Sequence, residues 1–207
     1  MAEVLITVFL GWLLGLLSNP IANRILRHYN RDDLRIAISS EFKEIIVQLA
    51  LLSNIILQHL GNATKDDYVW MENILKKYYQ GEDSAQVLSV LKKIIEVPEN
   101  ELSPLLQLFK QSGTKHLNLK LYDLPFLNSR MEDISVFDSQ FQTKIFDIRS
   151  NIHILNQEIE NAQYFTKLTF DPSCMNTNKD IIKNNIDNAY KNIYKRCRVI
   201  VGKMDNI

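Results

Sequence analysis

Residues 134–162, ISVFDSQFQTKIFDIRSNIHILNQEIENA, decide the fold class. Ile134, Phe137, Phe141, Ile145, Ile148, Ile152, Leu155, Ile159 and Ala162 recur at steps of three or four. At about 3.6 residues per turn, that spacing lays one apolar stripe along a helix of about 35 residues, as in a coiled coil or a long bundle helix. The stretch TFDPSCMNTN, 169–178, interrupts it. Ile182, Ile186, Ala189, Ile193, Cys197, Ile200 and Met204 then repeat the stripe. Two striped helices joined by a short turn predict an antiparallel pair.

Upstream, the helical signals continue. Asn30 to Asp33 can cap a helix that runs to Leu60 and stops at Gly61, with Phe42, Ile45, Ile46, Leu49, Leu52 and Ile56 on one face. Its middle, IIVQLALLSNIIL (45–57), is apolar enough to raise a second membrane span as an alternative to a central bundle helix, although Gln48, Ser53 and Asn54 interrupt it. Thr64-Lys65-Asp66-Asp67 resembles a capping box opening a helix that stops at Gly81, and helix-start acids such as Asp66 and Asp67 suit the macrodipole. Tyr68, Trp70, Tyr78 and Tyr79 on this helix have core spacing. Ser84 opens another helix, ended by Pro98; Ser103-Pro104 caps one more, toward Gly113. Leu117, Leu119 and Leu121 alternate, but with no partner strand in sight the segment is expected to be a connector packed on the bundle. Six Gly and five Pro in 207 residues also disfavour a turn-rich β fold.

The front of the chain is different. Residues 4–23 carry no charge, and as a helix they cover about 30 Å, the hydrocarbon thickness of a bilayer. Residues 4–17 have no polar stripe, so they suit lipid or a fully buried core better than a surface. A cleaved signal is disfavoured by the Met-Ala-Glu start and the poor cleavage site around Ala22. Arg24, Arg27, Arg31 and Arg35 follow, and basic residues stay on the cytoplasmic side and pair with anionic lipid. The N-terminus is therefore expected outside. Gly11 and Gly15 form a small-xxx-small pair through which two such helices can associate. Asn19-Pro20 is expected to kink or restart the helix.

Chemistry is sparse. Lys+Arg and Asp+Glu balance at 24 each, so no global field draws nucleic acid. No glycine-rich phosphate loop, nucleophile elbow or zinc motif occurs. Cys174 and Cys197 lack ligand spacing, and His28, His59, His116 and His153 stand apart, so neither metal nor cofactor is expected. The last helix is basic, and Lys191, Lys195 and Arg198 could form a face for an anionic, phosphate-bearing ligand or simply a solvated face.

Arg149-Ser150-Asn151-Ile152-His153 resembles the Arg…His motif of the HEPN helical-bundle ribonucleases, one residue short of its usual spacing. That resemblance implies RNA cleavage at a dimer interface, with His153 in acid–base work and Arg149 on phosphate charge. The same two residues also fit an i,i+4 contact on a solvated helix face.

The expected protein is all-α. Residues 1–29 form a single transmembrane helix with a basic juxtamembrane segment. Residues 30–207 form a cytoplasmic helical bundle with a long antiparallel C-terminal helix pair. It is expected at a bacterial-type inner (plasma) membrane, binding the bilayer, a further copy of itself, and a cytoplasmic protein or phosphate-bearing ligand. Binding, as an interaction, scaffold or effector module, is favoured over catalysis. The alternatives are a tethered HEPN-like ribonuclease using Arg149 and His153, and a soluble regulatory bundle.

Overall fold

The computed structural model describes the backbone of residues 2–98, 100–102, 104, 117–171 and 176–207, and side chains from residue 29 onward within those ranges except 176 and 177. Among the described residues the regular elements are helical and there is no strand. They are α1 (Ala2–Leu60), α2 (Lys65–Tyr78), α3 (Ser84–Glu96), α4 (Pro125–Ser129), a 3-10 helix (Met131–Val136), α5 (Ser139–Leu168) and α6 (Asn176–Asp205).

α1 ends where a backbone of unusual sign is needed. Gly61 has φ of 67°, the left-handed region where a Cβ would clash. Its N–H donates to the Gln58 carbonyl and the Asn62 N–H donates to the Leu57 carbonyl, both at 3.0 Å. This pair of bonds closes the helix as a Schellman motif. The next helix opens on the expected capping box: the Thr64 hydroxyl accepts from Asp67 N–H, and Asp67 Oδ2 accepts from Thr64 N–H at 3.0 Å.

The long apolar stripes pack as predicted. Ile145, Ile148, Leu155 and Ile159 on α5 and Ile193, Cys197 and Ile200 on α6 are fully buried. Contacts Asn192–Glu158, Arg196–Asn151 and Lys203–Asp147 step up α6 and down α5, so the pair is antiparallel. α6 is also covered by α1, which is why the stripes serve a bundle core. The α5 stripe is not one helix, however. Asp138 caps α5 by accepting from Phe141 N–H at 2.8 Å, so the helix has 30 residues, and Ile134 reaches the core from the 3-10 helix before it. A side-chain acceptor at the N-cap ends the helix where periodicity alone would extend it.

α1 runs antiparallel to α6 in turn: the Arg35 guanidinium donates to the Ile207 carbonyl at 3.4 Å, and His59 meets the Tyr190 ring edge at 5.3 Å. α2 packs on α1 and α3 packs on α2, around a smaller core of Val47, Leu57, Tyr68, Met71, Leu75 and Leu91. Tyr68 is fully buried there, while Trp70, Tyr78 and Tyr79 are partly buried against it.

Two expectations about α1 change. The helix continues through Asn19-Pro20 and through 30–33, so no new helix starts at either place. A proline removes one donor, and helix-compatible residues on both sides let the remaining ladder continue. Exposure therefore changes within the helix rather than at its end: residues 29–33 are exposed, and Leu34 is the first buried side chain among the described residues. Segment 45–57 is a central bundle helix. Ile46, Leu49, Ala50 and Ile56 are buried by the other helices, and among the described residues no helix is long and apolar enough to cross a membrane. The side chains of the opening stretch, including Gly11, Gly15, Arg24 and Arg27, lie outside the described residues, as do Cys174 and the segment from Ser103 to Gly113 apart from Pro104.

Candidate ligand groove

Segment 117–124 is irregular and pairs with no strand among the described residues, and it opens on a tight turn in which Leu119 N–H donates to the Leu117 carbonyl at 3.1 Å. Side chains take the place of a partner ladder. The Asn156 amide accepts from Tyr122 N–H at 2.9 Å and donates to the Tyr122 carbonyl at 2.7 Å. Gln163 donates to the Leu119 carbonyl at 2.7 Å, and the Tyr190 hydroxyl accepts from Leu117 N–H at 3.1 Å. At the end of the segment the Glu41 carboxylate accepts from the Phe126 and Leu127 N–H groups, at 2.7 and 3.0 Å, and so caps α4. These bonds satisfy backbone groups that burial would otherwise leave unpaired. They also hold the connector antiparallel to α5.

Between that connector and α5 lies a solvent-open groove of about 410 Å³. Its helical wall is Phe146, Arg149, Ser150 and His153, spaced to share one face beside the buried stripe. Its other wall is Tyr122, Asp123, Leu124 and Asn128. Asp123 Oδ1 accepts from Leu124 N–H and from the Asn128 amide, each at 2.8 Å. Asn128 Oδ1 in turn accepts from Arg149 Nε at 3.1 Å. This chain fixes the guanidinium through Nε and leaves its two terminal amino groups with no protein partner among the described residues. Asp123 Oδ2 is likewise unpaired among them. His153 Nε2 is 3.2 Å from the Gln157 amide nitrogen. Burial pushes the Tyr122 phenol above its ordinary range, so it lines the groove as a neutral group. Phe146 is 49% exposed and has no ring neighbour among the described residues.

Arg149 and His153 thus share one opening. The other predicted site residues are dispersed. Lys191 and Lys195 are exposed on α6, and Lys195 borders a separate groove with Glu158 and Asn192. Arg198 is drawn inward: its Nη1 donates to Asp67 Oδ1 at 3.1 Å, and its guanidinium lies 4.0 Å from the centre of the Trp70 ring. Arg31 lies 3.5 Å from Asp32, and Arg35 sits over the Phe141 ring at 5.3 Å. Among the described residues no group of three His, Cys, Asp or Glu side chains is placed to hold a metal ion.

Asp123, Asn128, Asn156 and Phe146 are groove residues that sequence reasoning missed. Phe146 alone left a signal, an aromatic three positions before Arg149 and off the apolar stripe. The others are brought to α5 by the tertiary path of the connector. The chain matches no protein-family model, no curated protein and no solved structure.

Proposed function

We propose that the chain is a membrane-tethered helical bundle that acts by binding. Residues 4–23 would form the anchor, with the N-terminus outside and the bundle in the cytoplasm of a bacterial-type cell. What supports this reading is the uncharged stretch itself, together with the first described side chains: 29–33 are exposed, and Leu34 is the first buried one among the described residues. Twenty uncharged residues before Arg24 are long enough as a helix to cross the hydrocarbon of a bilayer. The arginines at 24, 27, 31 and 35 recur at helical spacing on the continuous α1, on the side of the anchor where basic residues meet anionic head groups. Self-association through Gly11 and Gly15 would present several bundles side by side.

Alkaline carbonate extraction of membranes tests the anchor. The full chain should stay in the pellet and leave it in detergent, and a version lacking residues 2–23 should be released. Release of the full chain by carbonate alone would instead establish a soluble regulatory bundle.

A second reading is favoured by one observation: the groove unites Arg149 and His153. A tethered ribonuclease resembling the HEPN enzymes would use both. RNA cleavage by the full chain that disappears in His153→Ala would establish it. Intact RNA at high protein concentration would remove it.

A further inference from the structure

We propose that the groove between α5 and the connector is a binding site for a nucleoside monophosphate. The proposal deepens the binding reading above and rests on it, though not on the anchor. Three features on the groove walls select this ligand class together. Arg149 is a fixed cation whose terminal amino groups have no carboxylate partner among the described residues, held through Nε by Asn128 at 3.1 Å. A guanidinium oriented this way offers parallel donors to a phosphate. Phe146, half exposed and without an aromatic neighbour among the described residues, offers a flat face on which a base can stack. Asp123 keeps Oδ2 as an open acceptor, because both bonds it receives fall on Oδ1. A lone acceptor carboxylate would repel inorganic phosphate, but it suits the neighbouring hydroxyl donors of a ribose.

The dimensions agree. Phe146 and His153 stand seven positions apart on α5, roughly 10 Å along its axis, the reach of a base, a sugar and one phosphate. The volume of about 410 Å³ lies in the range of small-molecule sites. His153, with only Gln157 as partner, supplies a second donor beside Arg149. Nothing in the ligand's placement requires a bond to break.

Titration calorimetry on the full chain in detergent micelles tests this, with adenosine and guanosine monophosphates beside inorganic phosphate and the uncharged nucleosides. The monophosphates should bind at least about tenfold more tightly than either fragment. Arg149→Ala should weaken binding about 10- to 100-fold, the worth of a charge-assisted hydrogen bond, with partial recovery in Arg149→Lys. Phe146→Ala should weaken it by about 5- to 100-fold through lost stacking. Lys92→Ala, an equal loss of charge on exposed α3, should change nothing. Thermal melting of each variant confirms that it folds. The proposal is overturned if no monophosphate binds, if inorganic phosphate binds as well as the nucleotide, or if Arg149→Ala binds like the parent. It is also overturned if the full chain hydrolyses RNA through His153, since the groove would then be a nuclease site. Carbonate extraction reads the anchor separately, so the loss of one leaves the other standing.

Discussion

Asp67 at the start of α2 and Arg198 near the end of α6 are joined at 3.1 Å, although 131 positions separate them in the chain. The same carboxylate accepts from the Tyr194 hydroxyl at 2.9 Å and completes the capping box with Thr64. A single helix-start acid therefore ties α2 to α6. Asp67→Ala should lower stability by about 1–3 kcal/mol, through the lost cap and the Arg198 charge left without its partner. In a double-mutant cycle by urea unfolding, Asp67 and Arg198 should couple by about 1 kcal/mol, the pair being partly solvent-screened. Additive single-mutant effects would show that the ion pair contributes nothing.

Two glycines should respond with opposite sign. Gly61 needs its positive φ to close α1, so Gly61→Ala should destabilise by about 1 kcal/mol. Gly202 is inside α6 with nothing within 4 Å of an added Cβ. Gly202→Ala should stabilise by about 0.5–1 kcal/mol through reduced unfolded-state entropy. Urea midpoints with an unchanged denaturant slope would measure both.

Asn156 carries the connector by bonding both backbone polar groups of Tyr122. In Asn156→Ala those groups lose their partner, and stability should fall by about 1–3 kcal/mol. Hydrogen exchange should quicken at 117–124 before it does in the buried turns of α5. Uniform acceleration through both would mean that connector and helix open as one unit.

Stability should fall at both ends of the pH range. Asp205 is held below the usual carboxylate range, first by Lys77 and then by the Tyr78 hydroxyl. Its contribution is present above the unfolded value of about 4 and is lost as pH falls through the lower folded value. Asp205→Asn should therefore flatten the acid limb. On the alkaline side, burial raises the Tyr68, Tyr122 and Tyr190 phenols and the Cys197 thiol. From about pH 8.5 for a free thiol and about pH 10 for a free phenol, the unfolded chain releases protons that the fold retains. Stability should decline from there, with the share of phenolate absorbance that belongs to these three buried tyrosines rising at unfolding rather than before it.

Gly11→Leu together with Gly15→Leu should reduce cross-linking between copies of the full chain in membranes while leaving carbonate resistance intact. Bulk at those positions keeps helix backbones apart but adds apolar surface for lipid. Undiminished cross-linking would place the contact elsewhere on the molecule.

Local and periodic features were legible before any folding. The stripes on α5 and α6, the stop at Gly61 and the Thr64–Asp67 box each depend on residues close together in the chain, where rotation per residue and capping chemistry act. Only the tertiary structure decided where the polar side chains went. Asn151, Asn156, Gln163 and Glu41 stand at unremarkable positions, yet each bonds a group made distant by sequence and near by packing. Arg198 and Lys195 look alike on the last helix, but α2 lies against one and solvent against the other. Apolar burial is averaged over a whole face and so survives in the pattern. A hydrogen bond depends on one donor meeting one acceptor within about 3 Å, and a linear pattern does not encode that meeting.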